Sequence, residues 1–264
     1  MTTMPHDNYL RLTDHKTYYE TLKFHSQGNF CLHPATQHLT KLHSLSNREI
    51  ELLSGNELRY NLLDEGIVAD REIQPLPEDS YLLRNRSCEL FSSRPVKFST
   101  LTTLMSPLVA IKPDTYHRGY PSGGALYPID VFCCRITPNS EFWPEDSEIL
   151  HLLPNSLAFE AIKPARPTTY LKEAILPAGS TIGTPYCALI YVAYLPKTLF
   201  KYKSRGYRLA LMEVGSMYML IDLHCKKLGL KNRVWSGYTD HMLSNALSIN
   251  PALALPLCVQ FIGY

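Results

Sequence analysis

A chain of 264 residues, 45% hydrophobic and 19% charged, has the balance of an ordered globular protein and the length for one large domain with a smaller appendage, which excludes a disordered tail. The formal net charge of +2, without a dense Lys/Arg run interleaved with aromatics, lacks the electrostatic footprint of phosphate-backbone binding, so no nucleic-acid partner is expected. No apolar run reaches the roughly 18 residues of a membrane span, and residues 1–15 hold no signal-like stretch, so a cytoplasmic protein without membrane association is expected.

The seven cysteines are odd in number and form no Cys-x-x-Cys pair, which reads as reduced, buried thiols. His33, His38 and His43 recur every five residues, not the three or four that stack side chains on one helix face, so a solvated surface and no metal site are expected. Residues 1–78 form a leading region whose short apolar clusters, such as Tyr18, Tyr19, Leu22 and Phe24, are broken by polar turns. Pro75, Pro77 and Asp79 mark its boundary with a main domain over 79–264.

Within that domain, Arg84-Asn85-Arg86-Ser87 groups two guanidiniums and a hydroxyl, which suits a phosphate, although a solvated basic turn has the same composition. A short helix is expected over 99–104 with Ser99 as its N-cap, ending before Pro107. The segment His117 to Pro128 contains Arg118, Pro121, Ser122, Gly123 and Gly124. Paired glycines after Pro-Ser let backbone approach a flat or anionic ligand, and they equally make a tight turn before a strand. Strands are expected over 129–136, 148–153 and 158–162, the last two joined by a turn at Pro154-Asn155-Ser156. The almost wholly apolar run 187–195 reads as a central strand covered on both faces.

Lys201-Tyr202-Lys203-Ser204-Arg205 falls between Pro196 and Gly206, at a helix end or an irregular loop; by composition it is also an ordinary basic surface turn. Residues 206–228 form the strongest helix pattern, with Lys226 and Lys227 at the favourable dipole end and Gly229 as a left-handed cap. Its apolar residues lie all round, so burial on every side is expected, in a domain core or at a subunit interface. Ser236-Gly237 then offers another close backbone approach. A helix over 240–247 and a strand over 255–262 complete an α+β pattern without an internal repeat.

The order of these elements resembles the nitroreductase-like flavoproteins across residues 83–264. Pro-Ser-Gly-Gly-Ala-Leu-Tyr-Pro, Lys201-Tyr202, Gly206-Tyr207-Arg208, Ala210-Leu211-Met212-Glu213, Gly215-Ser216-Met217-Tyr218 and Gly229-Leu230-Lys231-Asn232-Arg233 are similar, within that superfamily, to the azoline dehydrogenases of microcin B-type synthetases. The resemblance implies a nitroreductase-like fold with a central mixed sheet, a long buried central helix, and a homodimer holding FMN at the subunit interface. It also implies oxidation of thiazolines and oxazolines to thiazoles and oxazoles in a ribosomally made precursor peptide, with oxygen as final acceptor. The implied partners are a YcaO-type cyclodehydratase and a leader-peptide clamp. By the same resemblance Arg86 and Ser87 hold the flavin phosphate, Pro121 to Gly124 and Ser236 to Gly237 face the ring system, and Lys201 and Tyr202 handle the proton. Many family members carry a basic residue where Glu89 stands here, which leaves Arg84, Arg118 or the other subunit to supply the remaining positive charge. The rival readings are an NAD(P)H-dependent nitro or quinone reductase and a non-catalytic scaffold subunit.

Overall fold

The computed structural model describes residues 6–29, 45–54, 73–112, 115–137, 143–144, 148–164, 166–176 and 181–264. Cys31, His33, His38 and His43 lie outside the described residues. The chain separates into a main unit of residues 1–31 with 81–264 and a second unit of residues 32–80. The leading region expected over 1–78 is therefore divided between the two. In the second unit, helix α3 (Asn47–Ser54) starts from a capping box, in which Glu49 accepts the Ser46 N–H at 2.7 Å and the Glu49 N–H donates back to Ser46 Oγ at 3.3 Å.

The main unit is built on a six-stranded sheet ordered β3-β2-β1-β4-β6-β5, with β1 Ile129–Arg135, β2 Ile149–Leu153, β3 Ala158–Ile162, β4 Cys187–Tyr194, β5 Lys231–Trp235 and β6 Ala254–Gly263. All eight residues of β4 are buried, because its side chains alternate between two cores. Leu189, Tyr191 and Ala193 join one cluster with Met217 and Ile221 of helix α7 (Ser204–Lys227). Ala188, Ile190 and Val192 join another with Ile175 of α5 (Thr168–Ile175) and Leu243 of α8 (Asp240–Ala246). A strand sandwiched in this way needs no polar face, which accounts for its unbroken apolar run.

One expectation is corrected. The sheet is not mixed: each of its five strand pairings is antiparallel. Strand direction is set by how the connections run, and side-chain alternation is the same for either direction. Within the single chain, helix α7 is buried along one stripe, so the core alternative does not cover its whole circumference. Gly206, Ala210, Val214, Met217, Ile221 and Cys225 lie on that stripe, whereas Leu211 and Met212 are 44% and 67% exposed. A Cβ added to Gly215 would meet no atom within 4 Å.

The end of α7 follows expectation, with Gly229 at φ +68 and the Leu230 N–H returning to the Cys225 carbonyl at 2.9 Å. Strand β5, polar in sequence as Lys-Asn-Arg, exists through its partner β6. Its Asn232 is buried and accepts from Gln260 Nε2 at 3.0 Å, while Gln260 Oε1 accepts from the Tyr191 hydroxyl at 2.7 Å. The six described cysteines are free and buried. Among the described residues no helix is long and apolar enough to cross a membrane.

Helices α1 (His6–Leu12) and α2 (His15–Ser26) pack against the segment that carries Lys201 and Tyr202. Tyr9 lies 5.4 Å from Phe200 of α6 (Pro196–Tyr202), ring centre to ring centre, and Phe24 meets Tyr207 of α7 edge-on at 6.1 Å. Helix α4 (Phe98–Met105) ends in a short turn at Ser106–Leu108, ahead of the glycine loop.

Candidate active site

The loop before β1 holds three residues at positive φ: Gly124 at +64, Ala125 at +55 and Tyr127 at +48. Glycine accepts this freely, but each non-glycine residue costs about 1–2 kcal/mol there, so the loop persists only because its surroundings over-determine it. Three anchors do so. Ser122 Oγ donates to Glu213 Oε2 of α7 at 2.5 Å and accepts the Tyr127 N–H at 2.9 Å. Lys197 of α6 donates to the Tyr127 carbonyl at 2.9 Å. The Arg118 guanidinium lies 4.3 Å from the centre of the Tyr127 ring and donates to the Tyr120 hydroxyl at 2.8 Å.

The loop stands against the end of α6. Lys203, at φ +50 and ψ −141, breaks the chain between α6 and α7, so Lys201 and Tyr202 occupy the last turn of a short helix. A Cβ built on Gly124 would lie 2.8 Å from Lys201 Nζ and closer still to the Tyr202 hydroxyl. One on Gly123 would meet Leu209 Cδ1 of α7 at 2.9 Å. The paired glycines thus let protein side chains, and not only a ligand, approach the backbone. Lys201 Nζ is 5.1 Å from the Tyr202 ring centre, so an ammonium, a phenol and a strained backbone turn converge at one point.

The residues expected to hold a phosphate are anchored elsewhere. Arg84 donates through Nε to Asp222 of α7 at 2.7 Å and through Nη2 to Ser87 Oγ at 3.1 Å. The Cys88 N–H reaches the Asn232 carbonyl of β5 at 2.9 Å, and Lys226 holds the Leu83 carbonyl at 3.0 Å. Arg86 and Ser87 are exposed, as is Ser236 after β5, and a Cβ on Gly237 would meet the Trp235 indole at 3.0 Å. Glu213 and Asp222 are nine residues apart on α7, about 13 Å along its axis. Within one chain, then, Arg84 is attached far from Ser122. Arg118 belongs with the loop rather than with Arg84 to Ser87. Asp222→Ala should lower stability by about 1–3 kcal/mol in chemical denaturation, since the Arg84 guanidinium loses a charged partner but keeps partial solvent contact.

Two residues of the candidate site, Glu213 and Lys197, escaped sequence reading. Glu213 is 2% exposed, and burial pushes its carboxyl up to about 7, against the opposing effects of the Ser122 hydrogen bond and the Arg118 and Lys197 charges. Lys197 is held below its usual range by burial, with Asp130 and Glu213 countering. A charge inside Leu211-Met212-Glu213-Val214, and a cation in the first turn of a helix where the dipole disfavours it, were the available signals. Beside the loop lies a cavity of about 590 Å³ walled by Tyr9, Arg118, Tyr127, His151, Tyr194 and Lys197.

No family model matches the chain. It is 33% identical over 242 residues to the microcin B17-processing protein McbC of Escherichia coli, a match covering 91% of this chain and 88% of that protein. The chain belongs to the McbC family. A chain of the E. coli microcin synthetase McbBCD complex with truncated pro-MccB17 bound superposes on this McbC-family chain with a TM-score of 0.84, at 32% identity, covering 99% of this chain and 98% of that one. MJ1384 of Methanocaldococcus jannaschii, a candidate nitroreductase by name, is 24% identical over 194 residues, 70% of this chain and 92% of its own. A structure named as a candidate nitroreductase of Ralstonia eutropha matches with a TM-score of 0.56 at 16% identity, over 73% of this chain and 85% of that one. The fold is accordingly nitroreductase-like within an α+β class.

Proposed function

We propose that this McbC-family chain is an FMN-dependent dehydrogenase that oxidises peptide thiazolines and oxazolines to thiazoles and oxazoles during maturation of a ribosomally made peptide of the microcin B type. The observation that carries the reading is the convergence of Lys201, Tyr202 and Gly124. Family membership supports the peptide substrate, since McbC is named for processing microcin B17 and the matched complex has pro-MccB17 bound. The donor chemistry fits FMN: an exposed guanidinium and hydroxyl at Arg86 and Ser87 suit its phosphate, with Arg84 already directed at Ser87. Pro121 to Gly124 and Ser236 to Gly237 would face the ring system, and Arg118 would add charge through the loop.

When bound, FMN would supply the two-electron acceptor that side chains lack. The chain's own task is the proton. Tyr202, in its phenolate form with the neighbouring Lys201 ammonium balancing its charge, would take a carbon-bound proton from the azoline as the neighbouring carbon gives up a hydride, which leaves a neutral phenol. The cavity beside the loop is the space we assign to the peptide.

A homodimer completes the site in this reading, because the loop and the Arg84 to Ser87 segment are anchored at distant points of α7 in one chain. The outward face of α7, with Leu211, Met212 and an uncovered Gly215, is the surface we assign to the partner subunit. Sedimentation should give twice the chain mass, and Met212→Glu should yield monomers depleted of FMN. A parent monomer that keeps its flavin would contradict the shared site. The cyclodehydratase and the leader-peptide clamp of a synthetase, with the precursor peptide in the cytoplasm, are the proposed context.

The direct test incubates purified protein with an azoline peptide in air and follows mass. Loss of two hydrogens per ring, without added nicotinamide, is the expected result. Azolines left unchanged while NADPH is oxidised stoichiometrically would overturn it in favour of a nitro or quinone reductase. A colourless protein without flavin would favour a scaffold subunit.

A further inference from the structure

The loop that faces Lys201 and Tyr202 packs on Leu209 of α7 and is hydrogen-bonded to that helix by the Glu213 carboxyl. Ser122 cannot satisfy both of its bonds alone: its hydroxyl proton goes to Glu213 Oε2, which leaves its oxygen oriented to accept the Tyr127 N–H. The turn closes between these two residues, with the Ala125 N–H on the Ser122 carbonyl at 3.1 Å and the Leu126 N–H on the Gly123 carbonyl at 3.4 Å. The positive φ angles of Gly124, Ala125 and Tyr127 fall inside this stretch. A backbone of that kind relaxes when its restraints are removed.

Helix α7 cannot yield in response, since Val214 and Met217 beside Glu213 are locked in the core. Arg118 and Lys197 are the two cations near the carboxyl, and both also hold Tyr127, by its ring and by its carbonyl respectively. Tyr120 completes the set of titratable groups around it, through its bond from Arg118. Every group facing Glu213 is therefore itself attached to the loop or adjacent to it.

We propose that Glu213 is a positioning residue of the dehydrogenase, acting through Ser122 to hold residues 122–127 in the strained turn that sets Gly124 against Lys201 and Tyr202. Glu213 touches neither of the proton-handling groups in this role. Its contribution is the fixed aim of the loop toward substrate and cofactor, and to that extent the inference rests on the proposed function. The bond itself does not, and it can be read without flavin.

The test is hydrogen exchange by mass spectrometry on the full chain, as purified and after flavin removal. In Glu213→Ala the amides of Ala125, Leu126 and Tyr127 should exchange about tenfold faster or more, while those of α7 and β1 stay protected. Glu213→Gln keeps an acceptor oxygen at the same volume and should restore slow exchange. Ser122→Ala removes the same bond from the loop side without opening a gap in the core, but it also removes the acceptor of the Tyr127 N–H, so its comparison rests on the Ala125 and Leu126 amides. At those two amides it should reproduce the Glu213→Ala result, and the double variant should add little to the Ser122→Ala variant, as expected when both break the Ser122–Glu213 bond. With FMN saturating, the Glu213→Ala loss should appear in kcat and be recovered by Gln. Exchange of the Ala125, Leu126 and Tyr127 amides at the parent rate in Glu213→Ala overturns the proposal, as does a rise spread equally over α7. A Gln variant as fast as Ala does the same. FMN uptake and azoline oxidation by the parent chain decide the proposed function separately, because the exchange comparison needs neither.

Discussion

Lys201→Ala and Tyr202→Phe should each slow azoline oxidation by about a hundred- to ten-thousand-fold, roughly 3 to 5 kcal/mol of barrier, the usual loss when a general base is removed. Both side chains sit on the last turn of α6, Lys201 exposed and Tyr202 half-buried, so truncating them opens no core cavity and the proteins should stay yellow and folded. Their meeting at Gly124 suggests one proton-handling unit, and the double variant should lose much less than the product of the single losses. Mass spectrometry of the peptide, with released flavin measured in parallel, separates the outcomes. Oxidation at the parent rate in both variants would remove the catalytic assignment. Loss of FMN with intact peptide chemistry on re-addition would move the pair into the cofactor pocket.

Gly124→Val is the second large effect. Two penalties coincide at this position: a β-branched side chain at φ +64, and a Cβ placed on the Tyr202 hydroxyl and Lys201 Nζ. The atoms struck are the far ends of flexible side chains, so the fold should survive by moving them aside, and the pair would be displaced from the loop. A rate loss at least as large as that of Lys201→Ala is expected, about a hundredfold or more, with flavin reduced as well. Gly124→Ala carries a smaller version of the same collision and should fall between parent and Val. If Gly124→Val oxidises azolines at the parent rate with full flavin occupancy, the loop does not belong to the active site.

Much of the architecture was legible because it depends on local chemistry. The strand 129–136, the hairpin strands, the central strand and the final strand were each expected within a few residues of where they lie, since β-branched and aromatic runs bounded by turn residues carry their own signal. The stop of α7 was readable from Gly229, and its start, expected at Gly206, lies two residues earlier at Ser204. Strand β5 was not, because Lys-Asn-Arg becomes a strand only when β6 supplies its hydrogen bonds and Gln260 satisfies Asn232.

The candidate site divides in the same way. Residue chemistry pointed to the paired glycines, whereas Lys201 and Tyr202 stood out through the family resemblance, which alone could connect residues 77 to 79 positions apart. Tertiary structure decided what each polar residue does. Arg84, chosen for a phosphate, also anchors to a buried Asp222; Ser122, chosen for a ligand, bonds to Glu213; Arg118 stacks on Tyr127. A polar side chain has the same donors wherever it stands, but which partner it meets depends on burial, where an unpaired group is costly and folding selects the neighbour that satisfies it. The identity of these residues was therefore written in the sequence, and their partners were set by the packing of α6, α7 and the sheet.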